Sequence, residues 1–201
     1  MNKQGIVYTV LFAFLVSFVF VLLLASADHL TKVRVEENRT IAIRRAILNA
    51  LALPSATPEE VERNFETVET IERGDTRIYR TVIDGRPVVA KEFSGSGLWG
   101  TITGILGVTA DLQRTTGIEI IAQNETPGLG ARIGEDWFKK QLVNERIVDG
   151  RIRVGSAGDG DYDPENGIID AVTGASRTSD AIGVILDTEL KTLSELIGGN
   201  Q

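Results

Sequence analysis

The chain has 201 residues, no cysteine, one histidine (His29) and a formal net charge of −7. These counts exclude disulfides, thiolate catalysis and cysteine-ligated zinc or iron–sulfur centres, and they argue against a histidine-based triad or a multi-histidine metal site. The acidic balance argues against nucleic acid as a partner, because its phosphates would be repelled.

An uncharged apolar segment of 23 residues, Gly5 to Ala27, lies close to the N-terminus. As a helix it would be about 34 Å long, enough to cross a hydrocarbon core of roughly 30 Å. The alternative is a cleaved signal peptide, since Ala25-Ser26-Ala27 resembles a small-residue cleavage site, but the apolar run is longer than is usual there. The sequence therefore predicts that residues 1–27 are a retained, single-pass membrane anchor.

The charges that flank this segment leave its orientation undecided. Lys3 precedes it, while Glu36 and Glu37 follow it together with five basic residues, and the positive-inside rule is weak for long domains. The five basic residues are Lys32, Arg34, Arg39, Arg44 and Arg45.

Residues 28–55 are predicted to be a juxtamembrane helix or linker, because apolar residues continue at partly helical spacing until Pro54, which ends a helix. A new helix begins at Thr57, where Thr57 is suited to capping, Pro58 to the first helical position and Glu60 to completing a capping box. We expect this helix to run to about Thr67.

The middle of the chain predicts an antiparallel sheet. A strand over Arg77–Ile83 and a strand over Arg86–Phe93 are separated by Asp84-Gly85, a favoured two-residue hairpin turn. Two further strands are expected over 97–108 and 118–123, with a polar connection over 109–117.

The last third of the chain predicts two helices and a loop. A short helix is expected over 135–143, and 155–166 has the composition of a loop. From Ser179 onward, apolar residues recur on one helical face. They are Ile182, Ile185, Leu186, Leu190, Leu193 and Ile197. The elements together predict an α+β domain over 56–201, an antiparallel sheet packed with helices and tethered to a membrane.

The segment from Asp170 to Ser179, DAVTGASRTS, groups four hydroxyl side chains around Gly174-Ala175. Small residues ahead of a helix would let an anionic group approach free backbone N–H groups and the positive end of the helix dipole, and Arg177 would add charge. The alternative is that Thr178 or Ser179 is only an N-cap and Gly174 only a turn. The four hydroxyl residues are Thr173, Ser176, Thr178 and Ser179.

Two glycine-rich segments are further candidates. The loop ETPGLG, from Glu125 to Gly130, is suited to bringing backbone N–H groups up to a ligand, although a tight turn without a ligand fits equally well. In SGSGLWG, from Ser94 to Gly100, an aromatic side chain between glycines would lie beside a planar ring or serve as a core anchor.

Four aspartates match positions 1, 3, 5 and 12 of a calcium-binding loop, but we do not expect calcium there. Pro164 stands where that loop needs glycine, and its last position lacks the usual glutamate. We predict no metal site. The aspartates are Asp159, Asp161, Asp163 and Asp170.

In this order, GLWG, ETPGLG and D-x-x-T-G-A-S-x-T-S resemble the FMN-binding domain of the Rnf and Na⁺-translocating NADH:quinone reductase complexes. The relatives are the G subunit of the Rnf complex and the C subunit of the reductase. The likeness runs from the N-terminal anchor to the last helix, and the short chain is more similar to the G subunit.

The resemblance implies that a flavin transferase moves FMN from FAD onto a hydroxyl, leaving a covalent phosphoester. The attachment position follows Gly-Ala, which here is Ser176, where relatives usually carry threonine, and Asp170 is a transferase recognition element. The other FMN-binding residues that it implies are Leu98, Trp99, Glu125, Thr126, Gly128, Leu129, Thr173, Gly174, Ala175 and Thr178.

The resemblance also implies a place and a role. The soluble domain would lie outside the cytoplasm, anchored in the cytoplasmic membrane beside the other membrane subunits of an Rnf-type complex. The chain would be an electron-carrier subunit that couples ferredoxin/NAD-type electron transfer to ion translocation, rather than an enzyme by itself. The alternatives are a C-type reductase subunit, a stand-alone membrane-anchored flavin reductase, and a non-redox binding module.

Overall fold

The computed structural model describes residues 3–74 and 76–198. Contacts divide the chain into two compact units, Met1–Ala42 and Ile43–Gln201. Helix α1 (Lys3–Ala50) provides nearly all of the first unit and the first residues of the second. In length and composition α1 is able to cross a membrane, and the side chains of residues 5–27 are almost all exposed.

The second unit takes in residues 43–55, which the sequence assigned to a juxtamembrane helix or linker. Ala46, Ile47 and Leu48 are buried, as is Leu51 just beyond the helix. The last two turns of α1 are therefore part of the core, and the backbone turns away after them, before Pro54.

Helix α2 (Pro58–Phe65) begins as the sequence predicts. The Thr57 hydroxyl accepts the Glu60 N–H at 3.2 Å, and Glu60 Oε2 accepts the Ala56 N–H at 2.7 Å. The capping box is confirmed, although the Glu60 side chain accepts the N–H of Ala56, the residue before the cap, and not that of Thr57 itself.

Five strands form an antiparallel sheet in the order of the chain. The strands are β1 (Glu69–Arg73), β2 (Thr76–Ile83), β3 (Arg86–Ser96), β4 (Thr101–Thr109) and β5 (Thr115–Ala122). The hairpin turn between β2 and β3 is confirmed, since Asp84 and Gly85 have φ values of 50° and 76°, as the favoured two-residue turn requires.

Two predicted boundaries in the sheet are wrong. Residues 97–100 are a turn rather than a strand, because the Gly97 N–H donates to the Gly100 carbonyl at 2.7 Å and closes the chain on itself. Residues 115–117, expected in a polar connection, begin β5. The edge strand β1 was not predicted.

The remaining elements cover the sheet and add a second, smaller one. The short helix predicted over 135–143 is present as α3 (Asp136–Lys140), shorter than expected, and an unpredicted 3₁₀ helix (Gly130–Gly134) precedes it. Strands β6 (Arg153–Gly158) and β7 (Ile168–Val172) pair in parallel, so the predicted loop over 155–166 is partly strand. Helix α4 (Ser176–Gly198) packs on β3, β6 and β7 with the apolar face that the sequence predicts. The result is an α+β fold.

Substituting Gly107 by alanine is expected to destabilise the domain. A Cβ there would overlap the Ala50 carbonyl oxygen, which already accepts the Thr116 hydroxyl at 2.5 Å. Backbone cannot yield as a flexible side chain does, so we expect a loss of about 2 kcal/mol or more. Urea denaturation measures it, with Gly134→Ala as the control, since a Cβ at Gly134 meets nothing within 4 Å. Equal stabilities of the two variants would contradict the prediction.

Candidate functional site

Helix α4 begins at Ser176, three residues earlier than predicted. The Ala175 N–H donates to the Val172 carbonyl, and the first bond within the helix runs from the Ser179 N–H to the Ala175 carbonyl, both at 3.0 Å. The N–H groups of Ser176, Arg177 and Thr178 therefore have no partner within the helix. The Ser176 side chain is exposed, and its hydroxyl makes no hydrogen bond with any described residue.

The alternative that Thr178 or Ser179 is an N-cap of this helix is wrong. Both lie inside the first turn and are 1% exposed. The Thr178 hydroxyl donates to Glu125 Oε2 at 2.5 Å. The Ser179 hydroxyl donates to the Ala175 carbonyl and accepts the Val172 N–H, both at 3.0 Å. Tertiary partners hold these two hydroxyls in the interior, which leaves Thr173 and Ser176 as the exposed ones in the segment.

Glu125 brings the three sequence motifs together. Its side chain is 4% exposed, and its Oε1 accepts the Trp99 N–H at 3.0 Å while its Oε2 accepts the Thr178 hydroxyl. The GLWG turn, the ETPGLG loop and the start of α4 are thus neighbours in space. The structure places Glu125 in the interior of this site rather than on its surface.

Three large apolar side chains are exposed around this junction. Leu98, Trp99 and Leu129 are 37%, 68% and 43% exposed, and we call them the apolar cover. Gly174 has a φ of 77°, and a Cβ there would lie 3.1 Å from Leu129 Cδ2, which places Leu129 beside the segment that leads into α4. Exposed apolar side chains of this size next to a helix start are suited to a planar ring.

The ETPGLG loop is a tight turn whose exposed residues form the rim of the site. The Thr126 carbonyl accepts the N–H groups of Leu129 and Ala131, both at 3.1 Å, and Gly128 takes a φ of 74°. Its exposed residues Thr126 and Gly128 therefore flank the apolar cover, while Gly130 is buried.

Asp170 lies on β7, ahead of the hydroxyl segment, and is tied to its own domain. Its Oδ2 accepts the Gly160 N–H at 3.1 Å. Gln141 Oε1 accepts the N–H groups of Asp170 and Asp161, at 2.7 Å and 2.8 Å. These bonds hold the β6–β7 connection against the strand that leads into α4. Asp161 also accepts the Asp163 N–H in a local turn.

Sequence reasoning missed the buried polar residues beneath this segment. Gln141 is 2% exposed and Glu145 is 1% exposed. Glu145 Oε1 accepts the Gly167 N–H at 2.8 Å, directly before β7, and burial raises the pKa of this carboxyl group. Their partners lie 20 or more residues away in sequence, so no local pattern predicts these bonds.

These residues fit a group that carries both a phosphate and a planar ring. An exposed hydroxyl and three free N–H groups at the start of a 23-residue helix suit a phosphate, and the apolar cover suits a ring. Residues 97–190 match the model of the FMN-binding domain family, a range that contains all three motifs.

Two kinds of curated relative match the same region. The C subunit of the Na⁺-translocating NADH-quinone reductase of Neisseria meningitidis is 35% identical over 92 residues, which cover 44% of this chain and 34% of that protein. The G subunit of the ion-translocating oxidoreductase complex of Methanosarcina acetivorans is 30% identical over 86 residues, 43% of this chain and 40% of that protein. The matched segments span less than half of these relatives.

The fold is shared with solved structures. The C subunit of the Na⁺-translocating NADH-quinone reductase from Parabacteroides distasonis superposes with a TM-score of 0.65 at 20% identity, covering 83% of this chain and 96% of that one. NqrC of Shewanella oneidensis gives 0.63 at 18% identity, covering 78% and 96%. The likeness confirms the α+β architecture, an antiparallel sheet packed with helices.

Proposed function

We propose that the chain carries FMN, attached through its phosphate to the Ser176 hydroxyl, and passes electrons within a membrane-bound, ion-translocating complex. The observation that carries the proposal is that, of the three hydroxyls in the first turn of α4, only that of Ser176 is exposed. Among the hydroxyls of its helix start, Thr178 and Ser179 are buried and bonded, whereas Ser176 is exposed at a helix start whose first N–H groups have no partner within the helix. The FMN-binding family match over 97–190 supplies the identity of the group.

The attachment needs a partner enzyme, a flavin transferase, with FAD as donor. The Ser176 oxygen forms a bond to the flavin-side phosphorus as the anhydride bond of FAD breaks, AMP leaves, and the hydroxyl proton passes to the transferase. This chain's part is to present the oxygen and to stabilise the phosphate with the N–H groups of Ser176, Arg177 and Thr178. We propose that Asp170, partly exposed on β7, is recognised by the transferase.

Bound in this way, FMN supplies the electron-carrying chemistry, and the protein supplies its surroundings. The apolar cover keeps water from part of the ring, and the rim residues Thr126 and Gly128 flank it. Thr173, Gly174 and Ala175 leave the approach to Ser176 open, since small side chains precede the helix. A covalent link keeps the cofactor in place on the extracytoplasmic side, where we place the domain.

We propose a G-type subunit of an Rnf-type complex, with a C-type reductase subunit as the alternative, since the chain is similar to subunits of both kinds. The chain purified from its own membranes after mild solubilisation should bring other integral subunits with it, and flavin fluorescence should remain on a denaturing gel. Fluorescence without co-purifying subunits would favour a stand-alone flavin reductase. Loss of all flavin on denaturation would contradict the covalent link.

The N-terminal helix should be retained as the anchor. Its apolar segment is long enough to span the membrane, and its continuation enters the domain core at residues 46–48. N-terminal sequencing of membrane-extracted protein should therefore find residues 1–27 still attached. A mature chain that begins at Asp28 would identify the segment as a signal peptide.

Trp99→Ala should change the bound flavin without preventing its attachment. The indole is 68% exposed and belongs to the apolar cover, so its loss opens the ring to water. We expect a shift in flavin absorbance or midpoint potential at unchanged covalent flavin content, measured by spectroscopy and intact mass. Trp137→Phe is the control, because Trp137 lies against Arg132 and Phe138. A spectrum and potential unaffected by Trp99→Ala would mean that the indole does not contact the ring.

A further inference from the structure

The carboxylate of Glu125 joins segments that lie far apart in the sequence. Trp99 precedes it by 26 residues and Thr178 follows it by 53, and each donates a hydrogen bond to a different carboxylate oxygen. None of the ion pairs among the described residues includes Glu125. A backbone N–H and a hydroxyl, rather than a cation, therefore satisfy this buried group.

Two glycines leave the space that this bridge occupies. A Cβ on Gly97 would lie 2.5 Å from Glu125 Oε1, and a Cβ on Gly130 would lie 2.5 Å from Thr178 Oγ1 and 2.9 Å from Glu125 Oε2. Neither glycine has a positive φ, so backbone conformation does not require glycine at these positions. The first glycine of GLWG and the last of ETPGLG are thus explained by close approach to the Glu125 bridge.

We propose that Glu125 is a positioning residue, which fixes the Leu98–Trp99 turn against the first turn of α4 and so keeps the apolar cover beside Ser176. The bridge acts through the Trp99 N–H on one side and the Thr178 hydroxyl on the other. It governs the surroundings of the group on Ser176, whereas attachment depends on Ser176 itself. This inference rests on the proposed function, because it takes the group on Ser176 to be the flavin.

Amide hydrogen exchange of the full chain in detergent tests the bridge directly. The variants are Thr178→Val, which removes the hydroxyl and keeps the shape, Thr178→Ser, which keeps the hydroxyl, and Glu125→Ala. We expect the Trp99 N–H to exchange at least about tenfold faster in Thr178→Val and Glu125→Ala than in wild type, and at the wild-type rate in Thr178→Ser. Unchanged exchange in strand β3 shows that the fold of a variant is intact. If Glu125→Ala does not fold, the comparison of Thr178→Val with Thr178→Ser tests the bridge on its own.

The same variants are measured with and without flavin. In flavin-loaded protein, Thr178→Val should change the fluorescence measured per attached flavin, and Thr178→Ser should restore the wild-type value. The exchange rates are also measured in a Ser176→Ala background, where no flavin is attached. If exchange responds but wild type never acquires flavin, the bridge stands and the proposed function fails. If Thr178→Val leaves both the Trp99 exchange rate and the flavin fluorescence unchanged, Glu125 is not a positioning residue.

Discussion

Ser176→Ala, made in cells with an active flavin transferase, is expected to abolish covalent flavin while leaving the protein folded. The Ser176 side chain is exposed and makes no hydrogen bond with a described residue, so its loss should change the free energy of unfolding by less than about 0.5 kcal/mol. The substitution removes the oxygen that forms the phosphoester and leaves the helix N–H groups in place. Intact mass and peptide mass spectrometry measure the flavin content.

Two further variants make this prediction specific. Ser176→Thr should restore attachment, since it returns the oxygen and the exposed position has room for a methyl group. Ser194→Ala is the matched control, because Ser194 is an exposed serine in the same helix, more than four turns from the site. It should retain full flavin content. Flavin found on the Ile169 to Asp180 peptide of the Ser176→Ala protein would show that another hydroxyl is the acceptor.

Where the chain's own local chemistry decides an element, the sequence predicts it. The two-residue hairpin turn requires positive φ values, which Asp84 and Gly85 adopt more readily than most residues. At the start of α2, Thr57 and Glu60 accept backbone N–H groups that the helix leaves without partners. The apolar face of α4 repeats for several turns and packs as expected. Ser176 as the attachment residue follows from the resemblance that the three motifs carry, and it stays a prediction.

The errors arise where a distant partner overrides a local preference. Thr178 is a good N-cap by type, but the Glu125 carboxylate, 53 residues away, takes its hydroxyl into the interior, and α4 begins earlier. GLWG leads directly into the apolar residues of β4 and is predicted as part of that strand, but a hydrogen bond between Gly97 and Gly100 closes it into a turn. Strand β6 is mostly exposed and carries two glycines, so it has no apolar alternation, and only its pairing with β7 makes it a strand.

The ion pair between Lys91 and Glu189 is expected to produce the largest stability effect in the domain. Lys91 Nζ lies 2.5 Å from Glu189 Oε2, with only 11% and 10% of the two side chains exposed, and it joins β3 to α4. Lys91→Met or Glu189→Leu alone leaves one charge buried without its partner, which typically costs about 3–5 kcal/mol. Urea denaturation followed by tryptophan fluorescence measures the free energy of unfolding.

The double variant separates the cost of a lone buried charge from the value of the pair. Lys91→Met with Glu189→Leu removes both charges and fills the volume with apolar atoms, so we expect most of the stability to return, leaving a strongly non-additive cycle. The exposed pair Arg77–Glu72, with side chains 66% and 72% exposed, is the control and should couple by less than about 1 kcal/mol. Strand β3 ends just before the GLWG turn and α4 begins at Ser176, so the packing of β3 on α4 holds both parts of the proposed flavin site. A double variant that refolds should therefore also carry flavin. Additive single losses would contradict the prediction, since they would mean that the two charges do not stabilise each other.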